Sequence, residues 1–262
     1  MNTRRNILDD IVDHKRRDLP IKRRHVPLSA LRDMPGYHRG TLSLGRRMGS
    51  GAPGIIAEFK RKSPSLGFIH EMADPVDVAG GYRQAGVQAM SVLTDRTYFG
   101  GDLADLVRVR AAFPDLPLLR KDFVIDPYDL HEARAHGADL VLLIAAILEQ
   151  GQVADLAQEA AQLGLQVLFE VHGAGELAKY HPSIPLVGVN NRNLKDFSVD
   201  IQTSLRMASG LPDGVIAVSE SGLSSRSDLE ELAAVGFQYF LMGERFMKEA
   251  DPGKACAEFL RN

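Results

Sequence analysis

The sequence predicts an α/β chain closed into a (β/α)8 barrel with an extra N-terminal helix. Three observations predict it. Short apolar runs rich in β-branched residues alternate with amphipathic helical patterns, the signature of a parallel sheet covered by helices. A helix-ending glycine recurs at the junctions, and the chain of 262 residues has the length of one such barrel, roughly 250 residues.

The first element is helical. Ile7, Leu8, Ile11 and Val12 fall at helical spacing, so an amphipathic helix docks on the remainder. Around them Arg4, Arg5, Lys15, Arg16, Arg17, Lys22, Arg23 and Arg24 form a basic stretch, interrupted by Asp9, Asp10, Asp13 and Asp18. A targeting or RNA-binding segment is the competing reading of these charges; the interleaved acids and the apolar spacing favour docking. Residues 1–50 are read as a helical extension packing near the barrel mouth. Gly45 to Gly54 is a glycine-rich lead-in to the first strand.

Eight strands follow, expected at Ile55 to Lys60, Ala89 to Thr94, Leu116 to Lys121, Leu140 to Ile144, Gln166 to Val171, Leu186 to Asn190, Val215 to Glu220 and Tyr239 to Gly243. Gly86, Gly137, Gly164 and Gly236 each stand between a helical pattern and a strand, where the left-handed closing position favours glycine. Their spacings run near two, one and three units of roughly 25 residues, the size of a βα unit. Asp74-Pro-Val-Asp reads as a helix start, with Asp74 as N-cap and Pro75 in the first turn. No Gly-x-Gly-x-x-Gly turn follows the first strand, which argues against an open dinucleotide-binding sheet and nicotinamide chemistry. With no Pro/Ser-rich linker, residues 1–262 are read as one barrel domain.

Composition narrows the function. A net charge of −3 points to neither nucleic acid nor a membrane surface as partner. One cysteine, Cys256, leaves no intramolecular disulfide or cysteine metal cluster, and reads as packing. Neither a signal-peptide core nor a run of 18 apolar residues is seen, so the expected location is the cytoplasm.

In a barrel the site lies at the C-terminal strand ends, where alternate side chains point into the mouth. The first strand offers Glu58 and Lys60, the third Arg120-Lys121-Asp122, the fifth Glu170, the sixth Asn190 and the seventh Glu220. A single one of these is as readily a solvated strand end; five strands ending so at one rim indicate a polar site, because unpaired buried charge is costly. Ser219-Glu-Ser-Gly and Leu241-Met-Gly-Glu place small or glycine turns at adjacent strand ends, a pattern suited to cradling phosphate with backbone N–H groups. His172 follows Glu170 by two, but no second ligand matches it at the rim, so a structural histidine is expected rather than a metal ligand.

These residues carry a resemblance. Ile56-Ala-Glu-Phe-Lys-Arg-Lys-Ser-Pro-Ser resembles the signature segment of indole-3-glycerol-phosphate synthases. Leu119-Arg-Lys-Asp-Phe-Val-Ile-Asp-Pro-Tyr, Leu142-Leu-Ile-Ala-Ala-Ile-Leu, Phe169-Glu-Val-His, Gly188-Val-Asn-Asn-Arg-Asn-Leu and Ser219-Glu-Ser-Gly-Leu resemble further family segments, in family order, so that nearly the whole chain is covered. Ile7-Leu-Asp-Asp-Ile-Val-Asp-His-Lys-Arg-Arg is similar to the family's extra helix before the first strand. The resemblance implies a TIM-barrel lyase of tryptophan biosynthesis that closes an indole ring on 1-(2-carboxyphenylamino)-1-deoxyribulose 5-phosphate, losing carbon dioxide and then water, with no cofactor and no metal.

By the same resemblance Lys121 is the general acid for ring closure, Glu170 does acid/base work in dehydration, and Asn190 holds the substrate hydroxyls. Glu58 and Glu220 complete the carboxylates around Lys121, which their charge should keep protonated against the opposing effect of burial. Lys60 is expected to contact the substrate carboxylate or phosphate and to share acid duty in dehydration. Ser63, Ser221, Gly222, Gly243 and Glu244 carry over to phosphate binding, Glu244 through its backbone, and Arg192 to the sugar end. Pro64, Phe99, Phe123, Leu142 and Phe197 are implied around the anthranilate ring, although each could equally be barrel core. The expected partner is a phosphorylated small molecule, the expected state a monomer with room for transient contact with other tryptophan-pathway enzymes.

Two departures stand out: Leu66, where relatives often carry lysine, and Gly243-Glu-Arg-Phe, a less usual form of the last motif, with Arg245 in it. Arg61 to Asp74 is long for a βα loop and is read as a mobile lid. Two rival readings share the fold: a phosphoribosyl isomerase, which needs a different acid/base pair, and a non-catalytic barrel serving as a partner subunit. Loss of Lys121 or Glu170 would favour the second, and both are present.

Overall fold

The computed structural model describes residues 6–45, 53–193 and 197–261. Eight parallel strands close into a barrel: β1 (Gly54–Phe59), β2 (Ala89–Leu93), β3 (Leu118–Lys121), β4 (Leu140–Ile144), β5 (Gln166–Val171), β6 (Leu186–Asn190), β7 (Ile216–Glu220) and β8 (Phe237–Met242). Each pairs with its sequence neighbours, and β1 closes the ring on β8. The expected strands lie in these places, with boundaries corrected. β1 ends at Phe59, so Lys60 lies just beyond it; β3 begins at Leu118, because Pro117 has no N–H to give a ladder; β8 begins earlier, at Phe237, with a register shift before Tyr239.

Period-two alternation sorts the side chains. Ile56, Ala89, Leu119, Leu140, Leu168, Leu186, Ile216 and Tyr239 form one interior cluster, while Ile55, Ala57, Phe59, Val92, Val141 and Val187 pack outward under the helices. Two residues further along the interior positions stand Glu58, Lys121 and Glu170. The interior is therefore apolar below and charged above.

The extension is more than one helix: α1 (Ile7–His25), α2 (Leu28–Arg32) and α3 (Pro35–His38). Asn6 and Asp9 form a capping box on α1, and Leu8, Ile11 and Val12 are buried. Lys15, Lys22 and Arg23 of the basic stretch are used in docking. Lys15 Nζ reaches Asp95 at 2.9 Å and Asp122 at 2.6 Å, both just past strand ends; Lys22 pairs with Glu132 at 2.6 Å, and Arg23 with Asp126. Residues 1–5 and 46–52, part of the expected extension and lead-in, lie outside the described residues.

The crossover helices are α4 (Pro75–Ala85), α5 (Arg96–Phe99), α6 (Leu103–Ala112), α7 (Pro127–Ala135), α8 (Gln150–Gln162), α9 (Gln202–Met207), α10 (Arg226–Ala234), α11 (Glu244–Met247) and α12 (Pro252–Arg261). Asp74 caps α4 as expected. Gly86, Gly137, Gly164 and Gly236 all take positive φ. Cys256 is buried in α12. No helix among the described residues is long and apolar enough to cross a membrane.

Beyond α3 the chain crosses the floor of the barrel. Asp139, fully buried before β4, accepts from Arg39 Nη2 at 2.6 Å, Leu42 N at 2.8 Å, Leu118 N at 2.9 Å and the Arg110 guanidinium. Leu44 N donates to Gln166 Oε1 at 2.7 Å, and the Leu44 side chain seals the interior cluster from below. The extension thus straps the barrel from mouth to floor.

Removing a buried charge at such a hub leaves its partners uncompensated. Asp139→Asn is expected to lower stability by about 3–5 kcal/mol, read as a lower urea midpoint at unchanged m-value. Asp115→Asn, at an exposed pair with Arg83, should leave the midpoint nearly unchanged.

Candidate active site

Lys121 is the last residue of β3 and points inward, between two neighbours that point outward. Arg120 Nη2 donates to Glu132 at 2.7 Å and Asp122 at 3.0 Å, and Asp122 also accepts from Thr94 Oγ1 at 2.6 Å. Burial would raise the Asp122 carboxyl, but Lys15 and Arg120 hold it well below the ordinary range. The run Arg120-Lys121-Asp122 thereby divides into one group for the cavity and two for the wall.

Inside, Lys121 Nζ lies 2.6 Å from Glu220 Oε2 and 3.4 Å from Glu170 Oε2. Burial opposes its charge, yet Glu220, Glu170 and Glu58 raise the ammonium well above its ordinary value. Lys60 Nζ pairs with Glu58 Oε1 at 2.7 Å on the adjoining wall. The expected grouping of two lysines and three carboxylates is present as two ion-paired sets.

The two carboxylates on Lys121 differ. Glu170 would be raised by burial, but Lys121, His172 and the Asn190 amide together hold it below the ordinary range. Glu220 has fewer donors: its Oε1 is buried without a hydrogen-bond partner and turned towards Gly188. Burial, reinforced by Glu170 and Glu58 and only partly offset by Lys121, pushes Glu220 up to about 7. A buried ammonium, an ionised carboxylate and a carboxyl poised near neutrality therefore share one mouth.

A cavity of about 420 Å³ opens above these groups. Its lining includes Glu58, Lys60, Lys121, Glu170, Asn190 and Glu220, together with Ser63, Arg192, Ser221, Gly222, Gly243 and Glu244, and Pro64, Phe99, Phe123, Leu142 and Phe197. One side is apolar: Phe99 and Phe123 meet at 6.0 Å between ring centres, and Ile7, Leu8 and Ile11 of α1 close over the cavity. The opposite rim carries the small turns. Ser221 and Gly222 take φ of 68° and 75°, and a Cβ on Gly222 would stand 2.3 Å from Val199 Cγ1, so glycine is required there. Glu244 turns its carboxylate aside, to Arg192 at 3.1 Å and Lys248 at 2.7 Å.

Some features of the site were not singled out in the sequence. Ile144 and Leu241 line the cavity and share the inward parity of Leu142 and Tyr239, a signal that could have found them. Lys248 joins the rim from just past α11. Gly188 looks like a weak point in a strand, yet a Cβ there would lie 2.3 Å from Glu220 Oε1, so its absence makes room for that carboxylate. His172, expected to be structural, lies with Nε2 3.4 Å from Glu170 Oε1 and Nδ1 3.6 Å from Glu176 Oε2. The 61–74 segment is built rather than plain loop: Lys62–Ser63 and Gly67–Phe68 form an antiparallel ladder, anchored by Arg61 on Asp105.

Comparison with known proteins finds relatives along nearly the whole chain. A family model described as indole-3-glycerol phosphate synthase matches residues 8–259. The chain is 42% identical to an indole-3-glycerol phosphate synthase of Bacteroides thetaiotaomicron over 98% of each chain. It is 43% identical to one of Albidiferax ferrireducens over 97% of each. Among solved structures, 3-hexulose-6-phosphate synthase from Salmonella typhimurium superposes with a TM-score of 0.63 over 79% of this chain and 98% of that one; at 12% identity the likeness is of fold alone.

The raised Glu220 carboxyl has a consequence for stability. Between its ordinary value of 4.5 and about 7 the folded state binds more protons at this site than the unfolded chain, so its contribution falls as pH rises through that window. Glu220→Gln, which cannot ionise, should therefore gain stability relative to wild type between pH 5 and pH 8. Urea midpoints at the two pH values test this; a difference that stays constant or reverses would rule it out.

Proposed function

The chain belongs to the indole-3-glycerol phosphate synthase family, and from that premise we propose that it is a carboxy-lyase converting 1-(2-carboxyphenylamino)-1-deoxyribulose 5-phosphate to indole-3-glycerol phosphate in tryptophan biosynthesis. The observation that carries the assignment of the acid is the Lys121 ammonium, held between Glu220 and Glu170.

In this reading the anthranilate ring enters the apolar side formed by Phe99, Phe123, Leu142, Pro64 and Phe197, and the phosphate sits on the rim of Ser63, Ser221, Gly222, Gly243 and Glu244. Lys121 donates a proton to the ribulose carbonyl oxygen as the carboxylate-bearing ring carbon attacks the carbonyl carbon. Loss of carbon dioxide returns its bonding pair to the ring. A proton delivered to the new hydroxyl, by Lys60 or Lys121, lets it leave as water, while Glu170 takes the proton released from the substrate. General acid and base steps of this kind contribute roughly 10²–10⁴-fold each. Asn190 and Arg192 orient the sugar, Glu58 pairs with Lys60, and Glu220 keeps the Lys121 ammonium charged.

The isomerase rival fits poorly, since family membership and the lysine-centred cluster agree. We read residues 1–262 as one functional unit, monomeric and cytoplasmic, needing neither metal nor cofactor and free to contact other enzymes of the pathway transiently. The hairpin over 61–74 acts as a lid above the rim.

Fluorescence detection of indole formation by the purified chain tests the reaction. Lys121→Ala is expected to lower kcat by about 10²–10⁴-fold with little change in KM, whereas activity unaffected by this change would move the acid role to Lys60. Activity should survive exhaustive dialysis against EDTA. Cleavage within 61–74 by a protease should slow when a substrate analogue is bound.

A further inference from the structure

His172 stands just past β5, two residues beyond Glu170, with its side chain only 14% exposed. The two oxygens of Glu170 face different cations: Oε2 is 3.4 Å from Lys121 Nζ, and Oε1 is 3.4 Å from His172 Nε2. On its far side His172 is fixed by Glu176, whose Oε2 accepts from the His172 backbone N–H at 2.7 Å and lies 3.6 Å from Nδ1. Both ring nitrogens are buried without a hydrogen bond, and these two carboxylates, at ion-pair distance, are their near neighbours. An imidazole between two carboxylates is best satisfied when both nitrogens carry protons.

We propose that His172 is a positioning residue that acts as an imidazolium behind Glu170, holding that carboxylate ionised and turned so that its other oxygen serves Lys121. The proposal rests on the reading of Glu170 as the base. Glu170 needs such support because its surroundings are mixed. Lys121 approaches from β3 and the Asn190 amide from β6, but the carboxylates Glu220 on β7 and Glu58 on β1 crowd the same ammonium. Lys60 takes Glu58, but Lys121 must serve both Glu220 and Glu170, and the second oxygen of Glu170 would otherwise face a low-dielectric wall. A cation on that oxygen favours the charged form of the carboxylate. Although burial works against it, the imidazole is itself held above its ordinary value by Glu176 and Glu170.

A histidine that served packing alone would, when replaced, lower activity equally at every pH. His172→Gln keeps a polar side chain of similar reach and removes the charge. The expected result is a rise of about one unit in the acid-limb pKa of kcat, with a loss that approaches tenfold only on the acid side of that limb and little loss at pH 8.5, and an unchanged KM. Glu176→Gln, which leaves the imidazole in place but withdraws its anchor, should shift the limb in the same direction by less. It also keeps the test open if His172→Gln does not fold. In the full-length ¹⁵N-labelled wild type, the His172 ring nitrogens should titrate as a cation at pH 7. A uniform loss across pH, an unmoved acid limb in both variants or a neutral His172 at pH 7 would each overturn the proposal. Glu170→Gln separates the two levels: full activity there would refute Glu170 as the base, whereas inactivity combined with an unmoved limb in the histidine variants would refute only the role of His172.

Discussion

A buried ammonium enclosed by carboxylates is the constraint around which the rest of this molecule is arranged. Taking Lys121 out of water would drive it towards the neutral amine, and taking Glu220, Glu170 and Glu58 out of water would drive each towards the acid. Only in company does the cluster stay charged. Lys60 on Glu58 relieves part of the excess, and His172 stands on the far oxygen of Glu170. The remaining imbalance falls on Glu220, whose second oxygen has no hydrogen-bond partner and whose carboxyl is raised to about 7. One site thereby holds carboxylates of unlike basicity within reach of a single acid, the separation that acid/base chemistry at neutral pH requires.

Such a cluster must be held rigidly, because a charge that drifts from its partner by an ångström loses much of its compensation. Two structures outside the cavity provide this. At the mouth, Lys15 ties α1 to Asp95 and Asp122 at the ends of β2 and β3, while the apolar face of α1 closes the cavity. At the floor, Asp139 joins the strap over residues 39–42 to the start of β3. The extension thus reaches both ends of β3, which carries Lys121, through Asp122 and Asp139, and the start of β5, which carries Glu170, through Leu44 and Gln166.

The strands were legible because alternation and helix-ending glycines are local patterns, and local patterns survive in one dimension. The rim residues were legible from their strand-end positions and from the family segments. What was not legible was pairing. Nothing in the order of residues says that Glu220 approaches Lys121 more closely than Glu170 does, since that depends on the stagger of strands around the closed barrel. Asp139 carried no signal in the sequence, because its donors come from Arg39, Leu42, Arg110 and Leu118, none of them adjacent to it in the chain. Gly188 was invisible for a related reason: its meaning lies in the Glu220 carboxylate that fills its missing Cβ. Chain ends of elements also shifted, as at β3, where Pro117 sets the start of the ladder.

The strand β3 shows how function and stability are joined at single-residue spacing. Arg120, Lys121 and Asp122 are consecutive, and the pleat sends the first and third to the wall and the second to the cavity. The wall pair, with Glu132, Thr94 and Lys15, fixes the height and rotation of the strand end. That placement delivers Lys121 Nζ to within 2.6 Å of Glu220. A register slip of one residue would exchange the two faces, burying Arg120 among the cavity carboxylates and leaving Lys121 in the wall. Charge of the same sign would still occupy the mouth, but the planar, permanently charged guanidinium could not release a proton to a carbonyl oxygen. The ion pairs of the wall therefore do more than add stability: they fix the register in which the chemistry is possible.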